Sequence, residues 1–192
     1  MEKINIETLE ISGFRSALLA LRLPFNKECR SDVTYEDTYV EHEMLNSFQS
    51  DVRCFFVNSD LKLMSTLIKR GNEHAKIMRG IVVHAEIEAP IYFWCELETY
   101  IVGHQRLSSQ STMHIDEKGL EGEELVKLKS DIPMGKMLKK IDMFSYQCLR
   151  NIYFQRRNHR LPEWHKFCDW IETLPFADKL ITIENNNDSK AN

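Results

Sequence analysis

From Gly80 to Glu88 the chain alternates without a break. Ile81, Val83, Ala85 and Ile87 fall on one face, and Val82, His84, Glu86 and Glu88 on the other. A strand of that pattern buries one face and wets the other, as in an antiparallel sheet covered by helices on one side only. The next segment follows a different period. Pro90 at the first helical position opens a helix to about Val102, with Gly103 as its cap. Ile91, Trp94, Cys95, Ile101 and Val102 lie along one side of it, and Phe93, Leu97 and Tyr100 along the other. A helix apolar nearly all round is a buried one. Strand and buried helix in succession place the chain in the α+β class, a mixed sheet packed against long helices.

The flanking segments agree. Ile4 to Ile11 reads as a strand, Ser12 as an N-cap, and Phe14, Ala17, Leu18 and Leu21 as a helical stripe that Pro24 ends. Val52 to Val57 reads as a strand. Asp60 caps a helix with Leu61, Met64, Leu67 and Ile68 inward, Lys69 and Arg70 in its last turn and Gly71 just past its end. Met134 to about Phe154 has the spacing of a long helix, with Met137, Leu138, Ile141, Phe144, Cys148 and Ile152 inward. Pro162 starts a last helix with Trp164, Phe167, Cys168 and Ile171 inward, and Leu180 to Ile183 forms a short strand. At 192 residues the chain suits one domain, residues 1–183, followed by a disordered polar tail, 184–192.

The longest apolar run, Ala89 to Cys95, is far too short to span a bilayer, and no secretory signal opens the chain. Five cysteines without a Cys-x-x-Cys pair argue against a disulfide framework and a structural zinc site. They read as small buried apolar residues in a reducing cytoplasm. A net charge of −4 excludes a general nucleic-acid binder. The charge is uneven: Arg150, Arg156, Arg157, Arg160 and Lys166 face a single acid, Glu163, whereas Glu28 to Glu43 and Asp116 to Asp131 are acidic.

Candidate chemistry gathers in one stretch. Glu98 falls between Trp94/Cys95 and Ile101/Val102 on an apolar stripe, where a carboxylate must be paired, protonated or hydrogen-bonded. It reads as a substantially buried acid that grips a ligand or moves a proton, or as a structural acid tied to a neighbour. Gly103 to His114 then supplies His104, Arg106, Ser108, Ser109, Gln110, Ser111, Thr112 and His114 within one loop. Hydroxyls, an amide, imidazoles and a guanidinium together suit a phosphate and a sugar or base; the plainer reading is a Ser/Thr-rich turn. Arg156, Arg157, His159 and Arg160 cluster ahead of the Pro162 helix, a natural anion site or ordinary complement to the preceding helix dipole. An anionic nucleotide between Arg106–His114 and Arg156–Arg160 is the expectation that follows. His84, Glu86 and Glu88 share a strand face at a spacing metal ligands use, but a wet sheet face produces the same pattern, and no metal is expected.

The run from Leu61 through His114 resembles the flavin-dependent thymidylate synthases, which methylate dUMP using FAD and a folate. It has a helix ending in Ile68-Lys-Arg-Gly71, a strand ending in Ala89-Pro90-Ile91, an aromatic helix and a short polar segment. That family's signature is Arg-His-Arg, two residues, Ser, one residue, Asn-Glu, one residue, Ser, one residue, Arg. With His104 at the signature histidine, Gly103 and Gln105 replace its arginines. Ser108 is kept, Gln110 stands for Asn, and Ser111 and Met113 replace Glu and Ser. Glu98-Thr-Tyr-x-x-Gly, Ser-x-Ser-Thr-Met-His114 and Arg156-Arg-Asn-His-Arg-Leu-Pro-Glu-Trp164 also look like a group of phage-encoded proteins. The resemblance implies a thymidylate-synthase-complementing fold, a homo-oligomer (dimer or tetramer) and an anionic nucleotide ligand. The lost arginines and acid imply a nucleotide binder, sequestering or sensing its ligand without the parent catalysis and without bound FAD. The rivals are a divergent FAD-dependent dUMP methyltransferase using Glu98, Ser111 or Thr112, and a protein-interaction module.

Overall fold

The computed structural model describes residues 4–25, 39–40, 56–111 and 119–184. Its centre is a four-stranded sheet built from β1 (Asn5–Ser12), β4 (Val82–Pro90), β5 (His104–Ser109) and β6 (Met137–Ser145). The strand order is β1-β4-β6-β5 and every pairing is antiparallel. Two short strands, β2 (Tyr39–Val40) and β3 (Phe56–Val57), pair separately. The helices are α1 (Phe14–Arg22), α2 (Asn58–Lys69), α3 (Ile91–Leu97), α4 (Gly122–Ser130), α5 (Tyr146–Arg156), α6 (Pro162–Glu172) and α7 (Ala177–Leu180). The α+β class is as expected.

The alternation in β4 settles which face is covered. Val83, Ala85, Ile87 and Ala89 are fully buried against the helices, while Val82, His84, Glu86 and Glu88 keep partial exposure. Aromatic rings fill the space above them. Phe93 of α3 meets Trp164 and Phe167 of α6 at 4.6 and 5.9 Å between ring centres, and Phe144 meets Phe167 and Trp170. A second aromatic group joins Phe14 to Tyr146 and Phe176.

Several expected elements take another form. The expected helix from Met134 to Phe154 is a strand followed by a helix: β6 runs to Ser145, whose Oγ accepts from the Cys148 N–H and caps α5. The helix-facing side of β6 carries Lys140 and Asp142, buried and paired, where a strand pattern calls for apolar residues. Those two charges erase the period of two and leave an accidental helical spacing. The expected Gly103–His114 loop is largely β5, an edge strand exposed along most of its length, where polar residues cost nothing. α3 stops at Leu97, with Pro90 as its extended N-cap, so that the chain can turn and lay β5 beside β6. Ile101 and Val102 are therefore strongly exposed. No strand forms at 180–183: α7 ends at Leu180 and Ile181 is buried in a turn, its carbonyl accepting from Arg150 at 2.5 Å.

Smaller corrections concern caps and cysteines. Ser12 ends β1, and Gly13 caps α1. Asp60 lies inside α2, fully buried, where Arg22 Nε donates to it at 2.6 Å instead of leaving it to cap the helix. Cys95 is exposed, unlike Cys148 and Cys168, whose thiols burial pushes up to about 12. Of the expected strand Val52–Val57, only Phe56–Val57 lies within the described residues. No described helix is long and apolar enough to cross a membrane.

Gly13 joins β1 to α1 at φ +92°, and an added Cβ would stand 1.8 Å from the Gly80 carbonyl oxygen. Left-handed backbone costs about 1–2 kcal/mol for other residues, and overpacking adds about 1–3 kcal/mol. Gly13→Ala is expected to lower the unfolding free energy by at least about 2 kcal/mol on those grounds, read from a urea titration. An unchanged midpoint would mean the β1–α1 turn relaxes freely.

Candidate functional site

The end of α3 holds two acids two residues apart, and each organises a cluster. Glu96 accepts two donors at one oxygen, Arg156 Nη1 at 2.9 Å and Trp164 Nε1 at 2.9 Å, and His159 Nε2 lies 3.6 Å from the same oxygen. Arg156 also donates to the Tyr100 hydroxyl at 2.7 Å, with its guanidinium 4.7 Å from the centre of the Trp164 ring. This cluster pins α6 and the end of α5 to α3. Arg156 faces inward as part of the framework, Arg157 meets Glu184 at 3.4 Å and stacks on Phe154, and Arg160 is exposed on the following turn.

Glu98 caps α3 and turns the other way. One of its oxygens takes Lys140 Nζ at 2.5 Å and Arg106 Nη1 at 3.1 Å. Partial burial pushes this carboxyl up, but the hydrogen bond and charge of Lys140, with Arg106 and His104 adding, outweigh it and hold it below its ordinary value. The expectation of a substantially buried Glu98 is corrected: its side chain is 38% exposed, because the helix ends there. Lys140 is buried, and its ammonium lies 4.3 Å from the centre of the Trp94 ring.

Beside this group His104 and Asp142 form a buried pair. His104 Nε2 donates to Asp142 Oδ2 at 2.7 Å, and the imidazole stacks on Phe144 at 4.5 Å with the rings 3° from parallel. Asp142 Oδ1 is buried without a hydrogen-bond partner among the described residues. Gly103 makes the entry into β5 possible. Its φ is +80°, its carbonyl accepts from the Ser145 N–H at 2.7 Å, and a Cβ would stand 2.3 Å from Ser145 Oγ.

Beyond Arg106 a bulge shifts β5, and Ser108, Ser109 and Gln110 then line an open groove of about 380 Å³. Glu86 and Glu88 of β4 and Lys139, Lys140 and Ile141 of β6 complete it. Lys139 bridges to Glu86 at 2.7 Å, and Glu86 and Glu88 help keep its ammonium protonated. Glu88 stands opposite Lys139 across the β4–β6 pairing. Ser111 follows, half-buried, while Thr112 and His114 lie outside the described residues. Of the expected site residues, Ser108, Ser109 and Gln110 line this groove, while Glu98, Arg106 and His104 belong to the ion-pair cluster with Lys140 and Asp142. No set of His, Cys, Asp or Glu side chains that suits a metal ion occurs among the described residues, including the His84 face.

Sequence reasoning missed Lys139, Lys140, Asp142, Glu86 and Glu88 as members of this region. A signal for two of them existed: Lys140 and Asp142 alternate with Leu138 and Phe144 at strand spacing.

No family model and no curated protein matches the chain. Solved structures do. Thymidylate synthase X from Helicobacter pylori, solved with FAD and dUMP, superposes with a TM-score of 0.60 at 12% identity over 93% of this chain and 97% of that one. A UMP/dUMP methylase, PolB, from Streptomyces cacaoi bound with 5-Br dUMP superposes with a TM-score of 0.60 at 11% identity over 93% and 92%. With nearly the whole of both chains matched in each case, this protein has the fold of the flavin-dependent thymidylate synthases.

Proposed function

We propose that the chain is a nucleotide-binding protein on this scaffold, with a mononucleotide held along β5 and without the thymidylate synthase reaction. The observation that supports it most is the groove beside β5 and β6. Its volume is near the low end of the roughly 300–1,000 Å³ of small-molecule sites. Its donors and acceptors match the two ends of a nucleotide. Lys139, Ser108, Ser109 and Gln110 offer an ammonium, hydroxyls and an amide to the ligand's oxygens. The Glu88 carboxylate can accept from sugar hydroxyls or a base N–H. The folds of the two solved proteins hold dUMP or its bromo analogue, so a pyrimidine monophosphate is the first ligand to try.

The residues present do not suit FAD within one chain. The groove is small for a dinucleotide, and His104 is buried between Phe144 and Asp142. No step through a flavin is assigned. Storage or sensing of a nucleotide, by a homo-oligomer in the cytoplasm, is the role that fits.

The test is calorimetric titration of a nucleoside monophosphate panel against wild type, Lys139→Ala and Arg106→Ala. A charge-assisted hydrogen bond contributes about 1.5–3 kcal/mol, so each substitution is expected to weaken binding about ten- to a hundredfold. Both side chains are nearly half exposed, so folding should survive. The reading fails if no nucleotide binds, or if neither substitution weakens binding. A flavin spectrum at one per subunit would favour a divergent methyltransferase instead.

A further inference from the structure

The Lys140–Arg106–Glu98 group has an arrangement that simple structural pairing does not require. Lys140 is held by the fold, being 6% exposed, resting on the Trp94 ring and springing from the sheet, while Arg106 reaches in from the neighbouring strand with 46% of its side chain exposed. Their shared partner is far less constrained than the lysine. Glu98 ends a two-turn helix, lies 38% exposed, and has three rotatable side-chain bonds. It also occupies the helix's carbonyl end, where the backbone dipole disfavours an anion. When its carboxylate swings out, a buried ammonium, a guanidinium and the adjacent His104 ring are left facing an opening to solvent. Ser109, cross-strand partner of Lys140, and Lys140 itself also line the groove.

We propose that Glu98 is a resident anion occupying a phosphate subsite, and that a phosphomonoester binds by displacing it from Lys140 and Arg106. This deepens the nucleotide-binding reading and rests on it for the identity of the natural ligand. The exchange is favourable in kind, because a phosphomonoester carries about −1.5 to −2 charge at neutral pH and three strong acceptor oxygens, against one charge and two oxygens for the carboxylate. Glu98 thereby sets a threshold: ligand binds only as far as it outcompetes the protein's own acid.

The test uses inorganic phosphate against chloride at matched ionic strength, which removes general screening as an explanation. Glu98→Gln keeps the side chain's shape and removes its charge. It is expected to bind phosphate about tenfold more tightly than wild type. Its melting temperature should fall in chloride and recover in phosphate, since phosphate restores the missing counter-charge to Lys140. Adding Arg106→Ala to Glu98→Gln should abolish the gain. Equal or weaker phosphate binding by Glu98→Gln overturns the proposal. Should that variant fail to fold in chloride, refolding in phosphate decides: recovery supports a phosphate cradle, and no recovery overturns it. The outcome is separable from the nucleotide titration. Nucleotide binding to wild type with no phosphate gain in Glu98→Gln sinks only the resident-anion idea, and the reverse sinks only the nucleotide reading.

Discussion

Replacing Trp164 with alanine is expected to cost about 3–5 kcal/mol of unfolding free energy, the range for truncating a fully buried large aromatic. Trp164 is 0% exposed and stands where three elements meet. Its ring contacts Phe93 of α3 and Phe167 of its own helix, and carries the Arg156 guanidinium on its face. Its indole N–H is one of the donors that hold Glu96. Truncation opens a cavity and also loosens the Arg156–Glu96 link between α5 and α3. A domain of this size has only about 5–15 kcal/mol to lose, so the variant should show a much lower urea midpoint at an unchanged slope. Trp164→Phe keeps most of the ring and should recover most of the loss. A Trp164→Ala cost below about 1.5 kcal/mol, half the low end of that range, would mean the three-helix junction repacks and the aromatic cluster is not the keystone argued here.

Asp142→Ala is expected to have the next largest effect. The His104–Asp142 pair is 5% and 1% exposed, so either partner alone leaves a desolvated polar group. An orphaned neutral imidazole costs about 1–3 kcal/mol, and a broken buried ion pair about 3–5 kcal/mol. Replacing both residues with leucine removes both desolvated groups and should recover much of the single-variant loss, since hydrophobic replacement of a buried pair is often neutral or better. The measurement is a double-mutant cycle in urea over His104→Leu, Asp142→Leu and the double variant. Coupling below about 0.5 kcal/mol, the level of independent sites, would show that the pair does not act as a unit. The pair anchors β5 to β6 directly beside Glu98, so its loss should also blur the site: weaker nucleotide binding in Asp142→Asn, even where the fold survives, is the functional counterpart.

The segments read correctly from sequence share a property. α1, β4 and α6 each bury apolar residues at the period of their own backbone, so local pattern and tertiary environment say the same thing. Asp142 and Lys140 broke that agreement in β6: residues turned inward must normally be apolar, and here two charges are turned inward because β5 and α3 bring His104 and Glu98 to meet them. Ile101 and Val102 broke it in the opposite sense, as apolar residues left outside by a helix that stops early.

The stretch Glu98 to Gln110 was legible as chemically dense from composition alone, because hydroxyl, amide, imidazole and guanidinium groups concentrate there. What those groups face was not legible. The partners of Glu98, His104 and Arg106 come largely from β6, about forty residues along the chain for Lys140 and Asp142, and no local rule carries information over that separation. The sequence by itself determined the α+β class, the one-sided sheet and the segment where chemistry could lie, since each follows from short-range periodicity and side-chain type. The tertiary structure alone decided that Glu98 is half-exposed and held by two cations, that His104 is buried on Asp142, and that Arg156 is framework. The first two depend on strand register and the third on helix packing, and both are long-range properties.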